Sequence, residues 1–290
     1  MSSVSRFLLM ACIAAAFCGP AAFGQTSTPN LPKVLRVCAD PNNLPYSNDQ
    51  KQGFENQIAD LIAKDFGMQV EYFWFRQGEK FFRRTLNSSV CDIVMGVPTG
   101  FDEAATTKPY YRSTYVFITR RDSHLDIASL DDPRLHTLKI GVHILGDAND
   151  NTPPVNALIH RGIVKNLVGY SIFGNLNEKD PSADVIRALQ DGKVDVAIVW
   201  GPLGGYFSRN SSVPLEITPI TADSKQPDMP FQFDIGIGVR ERDTGWRDLL
   251  DRELDRRRAE ISAILQNYGI PQAERSTQSA SAREQTGRPE

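Results

Sequence analysis

The sequence predicts an α/β protein made of two lobes with a cleft between them. Strands and helices alternate, and the order strand, helix, strand, helix, strand occurs twice, about a hundred residues apart. The strands are nearly continuous apolar runs, as in "CDIVMGV" (91–97) and "VDVAIVW" (194–200). Such runs are typical of parallel sheets that helices cover on both faces. Two crossover strands would join the lobes, and ligands would gather at the carboxyl ends of the strands.

The first half of the pattern starts with a strand at 34–40, "VLRVCAD". A helix is predicted over 53–67, because Phe54, Ile58 and Ile62 recur at helical spacing and a glycine follows as a stop. The aromatic run "EYFWF" lies in the next strand, and two-sided burial in the core explains it best. The remaining elements of this half are strands 69–75, 91–97 and 114–120, and helix 79–89.

The second half repeats the pattern and is followed by a late strand and a long helix. Its elements are strands 138–144, 167–174, 194–200 and 233–240, and helices 152–162, 181–192 and 244–269.

These elements suggest how the chain divides into domains. We predict one lobe from residues 25–120 together with about 235–270, and a second lobe from residues 121–234. The polar end of the chain, 271–290, is low in apolar residues and is predicted to be a disordered tail.

The amino terminus has the pattern of a secretory signal peptide. Arg6 precedes the apolar run "FLLMACIAAAFC", and small residues near Gly24 predict cleavage there, so that residues 1–24 are removed. The run is too short to span a bilayer. A lipoprotein would need a small residue before the modified cysteine, but Phe17 precedes Cys18. We therefore expect a periplasmic protein without a membrane anchor.

Cys38 and Cys91 remain after the signal is removed, in a compartment where disulfides form. Cys38 lies late in its predicted strand and Cys91 lies at the start of its own. In parallel neighbouring strands the α-carbons would be offset by about four residues at ~3.3 Å each, whereas a disulfide requires them within ~7 Å. We therefore expect two buried thiols rather than a bridge.

Seven segments, in this order and spacing, carry a family resemblance. They are "LRVCADPNNLPYSN", "GFENQIADLIAKD", "CDIVMGVPTG", "ATTKPYYRSTYVF", "DPRLHTLKIGVHILGD", "NTPPVNALIHRGIV" and "VDVAIVWGPLGGYF". The chain resembles the quinoprotein-dehydrogenase-associated MoxJ/XoxJ family, and "CADPNNLPYSN" favours the XoxJ-like branch. The resemblance implies the type II periplasmic solute-binding protein fold.

The same resemblance implies a role and partners. Members are described as partners of methanol dehydrogenases that use pyrroloquinoline quinone (PQQ). This chain would then support assembly or activation of such an alcohol dehydrogenase, of the lanthanide type, by protein contact. The c-type cytochrome of the system is a second candidate partner.

Amino-acid receptors of this fold use three anchors: an arginine for the ligand carboxylate, backbone N–H groups at a helix start, and an aspartate for the ammonium. Placed on the family pattern, these anchors fall on Ala104, on the loop that holds Asp147 and Asp150, and on Trp200. A zwitterionic amino acid would lack partners for its charges. We therefore expect another kind of ligand, with Arg112 left open as an alternative guanidinium.

Aromatic and small residues replace these anchors near the strand ends. We interpret them as a wide aromatic cleft that admits a flat ligand or a loop of a partner, with Gly201 and its neighbours leaving room beside Trp200. Packing in the hinge is the alternative for Tyr110 and Tyr111. The predicted cleft residues are Asp40, Tyr46, Thr99, Phe101, Tyr110, His143, Asp147, Trp200 and Gly201.

The sequence has no recognisable catalytic or metal-binding motif. Its four histidines are scattered, and it has no Cys-x-x-Cys. We predict neither an enzyme nor a cofactor. A calcium or lanthanide site at Asp147 and Asp150 is a weaker alternative, because hard cations prefer six or more oxygen ligands. The net charge of −3 does not indicate nucleic-acid binding.

Two other functions compete with the accessory role. The chain could be the substrate-binding component of an ABC importer for a small molecule other than an amino acid, or an enzyme built on the same fold.

Overall fold

The computed structural model describes residues 32–144, 151–172, 178–220, 222–223 and 225–273. The predicted signal peptide and polar tail lie outside these ranges, apart from the first residues of the tail. In chain order, the strands of the described part are β1 Val34–Ala39, β2 Asn42–Asn43, β3 Ser47–Asn48, β4 Gln69–Trp74, β5 Ile93–Pro98, β6 Ala105–Thr106, β7 Tyr111–Arg120, β8 Ile140–Ile144, β9 Leu167–Ser171, β10 Val196–Trp200, β11 Leu215–Pro219 and β12 Gln232–Val239.

Seven α-helices lie in the same part of the chain. They are α1 Phe54–Asp65, α2 Phe81–Arg84, α3 Pro153–His160, α4 Asp184–Gln190, α5 Gly201–Arg209, α6 Thr244–Arg256 and α7 Arg258–Asn267.

The strands form a mixed sheet in the order β4-β1-β5-β12-β7-β10-β8-β9. The first half-sheet consists of β4, β1, β5, β6 and β12, and the second half-sheet of β9, β8, β10 and β11. Strand β7 is shared: residues 111–114 pair with β12, whereas residues 115–120 pair with β10 and β11. Strands β4, β1 and β5 are parallel, as are β10, β8 and β9. Their carboxyl ends therefore carry the connections that can line a site.

Helix α1 shows how the apolar pattern becomes packing. Phe54, Ile58 and Ile62 recur every four residues and are fully buried, facing β1, β4 and β5. Burying each of these side chains contributes about 1.5–3 kcal/mol. The helix ends before Gly67, whose φ of +65° is easily adopted only by glycine. The second half-sheet has its own aliphatic core around Phe117 and Leu158.

Most predicted elements are confirmed with shifted ends, but several predictions are wrong. The helix expected over 79–89 is the short α2 followed by a 3₁₀ turn. The single long helix is broken into α6 and α7 at Arg257. Helix α5 and strand β11 were not predicted. The glycines of "GPLGGY" lower helix propensity, although Pro202 lies in the first turn, where its missing N–H costs little.

The expected burial of the "EYFWF" run is also wrong. Strand β4 is at the edge of the sheet, and its side chains alternate between exposed and half-buried. Tyr72 and Trp74 stack on one face with ring centroids 4.5 Å apart, whereas Phe73 on the other face is 40% exposed.

The prediction of free thiols is wrong as well. Cys38 and Cys91 form a disulfide, with their α-carbons 5.6 Å apart. Strand β5 begins at Ile93, which pairs with Val37, so that Cys91 precedes the strand. Because the chain bends at Asp92, the rise of an extended strand does not apply to Cys91, and its side chain reaches β1.

Candidate functional site

A cavity of about 290 Å³ lies where residues of the two half-sheets meet. We call it the main cavity. Its lining comes from the ends of strands and from the loops and helices that follow them, as expected for open α/β sheets. The lining residues are Asn43, Tyr46, Glu55, Gln77, Met95, Gly96, Pro98, Tyr111, Tyr115, His143, Thr152, Ile172, Trp200, Phe233 and Ile235.

Aromatic rings form one wall of the main cavity. Trp200 is the last residue of β10 and lies opposite Tyr115 in the antiparallel pair with β7, so the two side chains are neighbours. The Tyr115 and Trp200 ring centroids are 5.2 Å apart with planes inclined at 64°. Phe233 continues the wall, 5.7 Å from Trp200 at 68°. Because the ring planes are steeply inclined, the rings do not stack; they meet edge to face, like adjoining walls.

Glu55 places a carboxyl in this aromatic environment. It is the second residue of α1 and is only 7% exposed. Its Oε1 accepts a hydrogen bond from the Tyr110 hydroxyl at 3.2 Å, and that hydroxyl accepts one from the Gly96 N–H at 3.1 Å. Loss of hydration raises the pKa of Glu55 to about 8, so the carboxyl is mainly protonated at neutral pH.

Gly96 makes room for that carboxyl. A Cβ at this position would overlap Glu55 Oε1, and the φ of +74° also favours glycine. The sequence reasoning missed Glu55 because an acid in the first turn of a helix is ordinary. A "GFE" helix start after a Pro-Tyr loop was the available signal, but it does not reveal which way the helix start faces.

His143 lines the main cavity from the second half-sheet. It is the fourth residue of β8 and is 3% exposed. Its Nε2 donates to the Ser182 carbonyl at 3.0 Å, so Nδ1 is an acceptor in the neutral ring. Loss of hydration lowers the pKa of His143 to about 4. The imidazole therefore contributes no positive charge at neutral pH.

Three of the predicted cleft residues line the main cavity: Tyr46, His143 and Trp200. Asp40 lies behind the lining. Its two carboxylate oxygens accept hydrogen bonds from the backbone N–H groups of Asn42 and Gln77, each at 2.8 Å. Asp40 thereby holds the two loops that carry lining residues.

Four other predicted residues lie outside the lining. Tyr110 lies behind the lining, where its hydroxyl bonds to Glu55 and Gly96 and its ring packs on Tyr111 with centroids 5.0 Å apart. Thr99 is exposed and its hydroxyl donates to the Asp234 carbonyl at 3.1 Å. Phe101 packs on Phe82, 4.8 Å between centroids. Gly201, the fourth, is buried at the start of α5. Asp147 lies outside the described residues.

The expectation that Gly201 and its neighbours leave room beside Trp200 is wrong. Gly201, Gly204 and Gly205 are all buried in α5. A Cβ at Gly201 would lie 2.5 Å from the Thr114 carbonyl oxygen, and a Cβ at Gly205 would overlap that of Gly269. These glycines let the helix approach other backbone segments closely, rather than opening the cavity.

The guanidinium groups also lie elsewhere. Ala104, where the family pattern would place an arginine, is 3% exposed and packs in a core cluster with Cys38 and Phe81. Arg112 pairs with Asp234, 3.6 Å between Nη1 and Oδ2, and lines a smaller cavity of about 200 Å³. No lysine or arginine is among the described lining residues of the main cavity.

Two further properties concern only the described part of the chain. Within it, no three or more His, Cys, Asp or Glu side chains are grouped as a metal site would require. In the same ranges, no helix has the length and apolar character that a bilayer crossing would need.

The chain was compared with known proteins. Residues 35–270 match the bacterial extracellular solute-binding proteins, family 3. Protein MoxJ of Methylorubrum extorquens is 33% identical over 250 residues, which cover 82% of this chain and 81% of that protein.

Two crystal structures are similar over the same region. Periplasmic binding protein XoxJ from Methylobacterium extorquens AM1 has a TM-score of 0.69 and 34% identity, covering 83% of this chain and 100% of the other. MxaJ from Methlophaga aminisulfidivorans MPT has a TM-score of 0.70 and 30% identity, covering 82% and 100%. These findings confirm the predicted fold class. The chain belongs to the MoxJ/XoxJ family, within the bacterial extracellular solute-binding proteins of family 3, and has the type II periplasmic solute-binding fold.

Proposed function

We propose that this protein is a periplasmic accessory factor of a PQQ-dependent alcohol dehydrogenase, of the lanthanide type, in methanol oxidation. It acts by contact with the dehydrogenase, during assembly or activation, with the c-type cytochrome as a second candidate partner. Export through the signal peptide at 1–24 is part of the proposal. So is a division into two lobes, 25–120 with about 235–270 and 121–234, which close around the site by a hinge motion.

The observation that carries the proposal is the charge of the main cavity. Its described lining has the carboxyl of Glu55 and no guanidinium or ammonium group. A bound amino acid would bring its own carboxylate into a desolvated site without a partner and beside an acid, which is strongly unfavourable. The fold is that of a receptor, but the site does not suit the ligand that its amino-acid-binding relatives hold. Membership of the MoxJ/XoxJ family favours a dehydrogenase as the partner.

The aromatic wall gives the proposed contact a location. Trp200, Tyr115 and Phe233 line the cavity side by side, and large aromatic residues are frequent hot spots of protein interfaces. A protruding loop of the dehydrogenase could insert an apolar side chain between them.

Affinity purification from periplasmic extract tests the proposal. The mature protein should retain the dehydrogenase, and the Trp200→Ala variant should retain at least about tenfold less, the effect of losing ~1.4 kcal/mol. Trp200→Phe is the matched control, because it keeps an aromatic ring. A strain without the protein should lose dehydrogenase activity, and the wild-type gene should restore it. Normal amounts of fully active dehydrogenase in the deletion strain would contradict the proposal.

The second candidate function is the substrate-binding component of an ABC importer for a small molecule other than an amino acid. A specific observation favours it: the main cavity is near the lower end of the ~300–1,000 Å³ range of small-molecule sites. Its polar groups, Glu55, His143 and Thr152, converge on one apolar space. An enzyme remains a third reading, for which Glu55 and His143 are the titratable groups available.

Calorimetry with a panel of small molecules distinguishes these functions. We expect no amino acid to bind with micromolar affinity, whereas the importer function requires one non-amino-acid ligand that does. Micromolar binding of any amino acid would contradict the argument from cavity charge.

A further inference from the structure

The main cavity combines aromatic rings with one carboxyl group. Five of its lining residues are aromatic: Tyr46, Tyr111, Tyr115, Trp200 and Phe233. The faces of aromatic rings are electron-rich and attract cations. The acid of the lining is Glu55, which is buried on the first half-sheet side of the same space.

A positive counterpart is missing from this lining. His143 is uncharged near neutral pH, and the amides and hydroxyls of the described lining are neutral. Arg112 pairs with Asp234 beside the smaller cavity. A positively charged occupant would therefore meet no like charge in the described lining, and it would have the carboxyl of Glu55 as a possible counter-ion.

From this geometry we infer that the main cavity binds a small organic ammonium ion without a carboxylate, with Glu55 as its counter-ion and the rings of Tyr115, Trp200 and Phe233 around its alkyl groups. The steeply inclined rings resemble adjoining walls of a cage, an arrangement that proteins use for quaternary ammonium groups. The volume of about 290 Å³ admits a small ligand of this kind. A carboxylate on the ligand would be disfavoured, because the described residues of the lining offer it no cation.

The inference specifies the ligand class for the second candidate function and rests on that function only in requiring that the cavity take a free small molecule. It does not depend on contact with a dehydrogenase.

Binding of a cation should release a proton. A positive charge beside Glu55 favours its ionised form, so the carboxyl that is mostly protonated in the empty site ionises when the ligand enters. The other titratable groups that face Glu55 are tyrosines, which are neutral near pH 7, and burial raises the pKa of each one further: Tyr46, Tyr72, Tyr110 and Tyr111. Affinity should therefore rise between pH 6 and about 8, by up to about tenfold per pH unit, and then level off.

Three probes of similar shape test the inference by calorimetry on the mature protein. They are choline, which is a cation; glycine betaine, with the same head group plus a carboxylate; and 3,3-dimethylbutan-1-ol, the neutral analogue of choline. We expect choline to bind with a Kd of about 1 mM or below and each of the other two at least about tenfold more weakly. Equal or tighter binding of betaine or of the alcohol, or no binding of choline, would overturn the inference.

Variants of two glutamates locate the charge. Glu55→Gln should weaken choline binding at least about tenfold and leave the neutral alcohol unchanged. Glu241→Gln, at an exposed position beyond β12, is the matched control and should change neither. If a folded Glu55→Gln variant bound choline and the neutral alcohol more weakly by the same factor, Glu55 would only shape the cavity.

A second measurement needs no variant. Calorimetry of choline at pH 7 in buffers with different ionisation enthalpies should show release of up to one proton per ligand, because choline itself does not titrate. Absence of proton release would overturn the role of Glu55, even if the Glu55→Gln variant did not fold. Failure of choline with continued retention of the dehydrogenase would overturn this inference alone and leave the proposed accessory function standing.

Discussion

The two half-sheets share strand β7 but are held together differently. In the first, the Cys38–Cys91 disulfide joins β1 to the segment before β5. In the second, Arg161 at the end of α3 makes two hydrogen bonds to Asp223, at 2.8 and 2.5 Å, with side chains 4% and 0% exposed. One half therefore depends on a covalent bond that an oxidising compartment preserves, and the other on a buried ion pair that any compartment preserves.

The halves also differ in what they bring to the main cavity. The first contributes the acid, Glu55, and the second contributes Trp200 and a neutral imidazole, His143. Burying the Glu55 carboxyl costs free energy. It lies in the first half, which also has the Cys38–Cys91 disulfide. The comparison teaches that the two half-sheets differ both in what stabilises them and in the chemical groups that they bring to one cavity.

The strongest test of the comparison removes one partner of the buried ion pair. Asp223→Ala removes both hydrogen bonds between the buried Arg161 guanidinium and Asp223 and leaves the partly exposed Asp131 as its carboxylate partner, so it should cost up to about 3–5 kcal/mol of unfolding free energy. Asp131→Ala is the matched control, since Asp131 contacts the same guanidinium at 3.0 Å but is 34% exposed, and should cost at most about 1 kcal/mol. Urea unfolding measures both, and equal effects would show that burial does not set the strength of the pair.

The corresponding test of the first half removes the disulfide. The Cys38→Ala, Cys91→Ala double variant should lose about 2–5 kcal/mol of stability in urea unfolding. When the wild-type protein is unfolded without reductant, neither Cys38 nor Cys91 should react as a free thiol. After reduction, both should react. Two thiols before reduction would remove the covalent side of the comparison.

The helix that follows Trp200 provides a smaller test. Gly205→Ala should cost about 1–3 kcal/mol, because the new Cβ would overlap the Gly269 carbonyl and the backbone would have to shift. Gly245→Ala in α6 is the control. It meets no atom within 4 Å and should be neutral or stabilising by up to about 1 kcal/mol. Thermal unfolding distinguishes the two variants. If Gly205→Ala did not change stability, the close packing of α5 against Gly269 would be contradicted.

The last test concerns the pH dependence that Glu55 causes in the ligand-free protein. Its pKa is raised by folding, so its contribution is fully present below its unfolded pKa near 4.3 and is lost as pH rises through about 8. The unfolding free energy of the wild type, relative to Glu55→Gln, should therefore fall between pH 5 and 8, by at most about 1.4 kcal/mol per pH unit. Parallel profiles would mean that Glu55 is hydrated in the folded protein.

Sequence patterns predicted the parts of the site that depend on strand ends. Tyr46, His143 and Trp200 line the main cavity, as expected if the carboxyl ends of parallel strands share one edge of a sheet. Phe101 and Gly201 follow the same rule but turn into the core or into a helix contact. The position of a residue along a strand does not determine the direction of its side chain after the strand has ended.

By itself the sequence determined most of the alternating strands and helices, the α/β fold class and the family, since these follow from local periodicity and from the order of segments. Only the tertiary structure decided that Cys91 reaches Cys38, that Ala104 is buried, and that Glu55 lines the same cavity as the aromatic wall. These depend on bends between elements and on contacts between residues far apart in the chain, which periodicity does not encode.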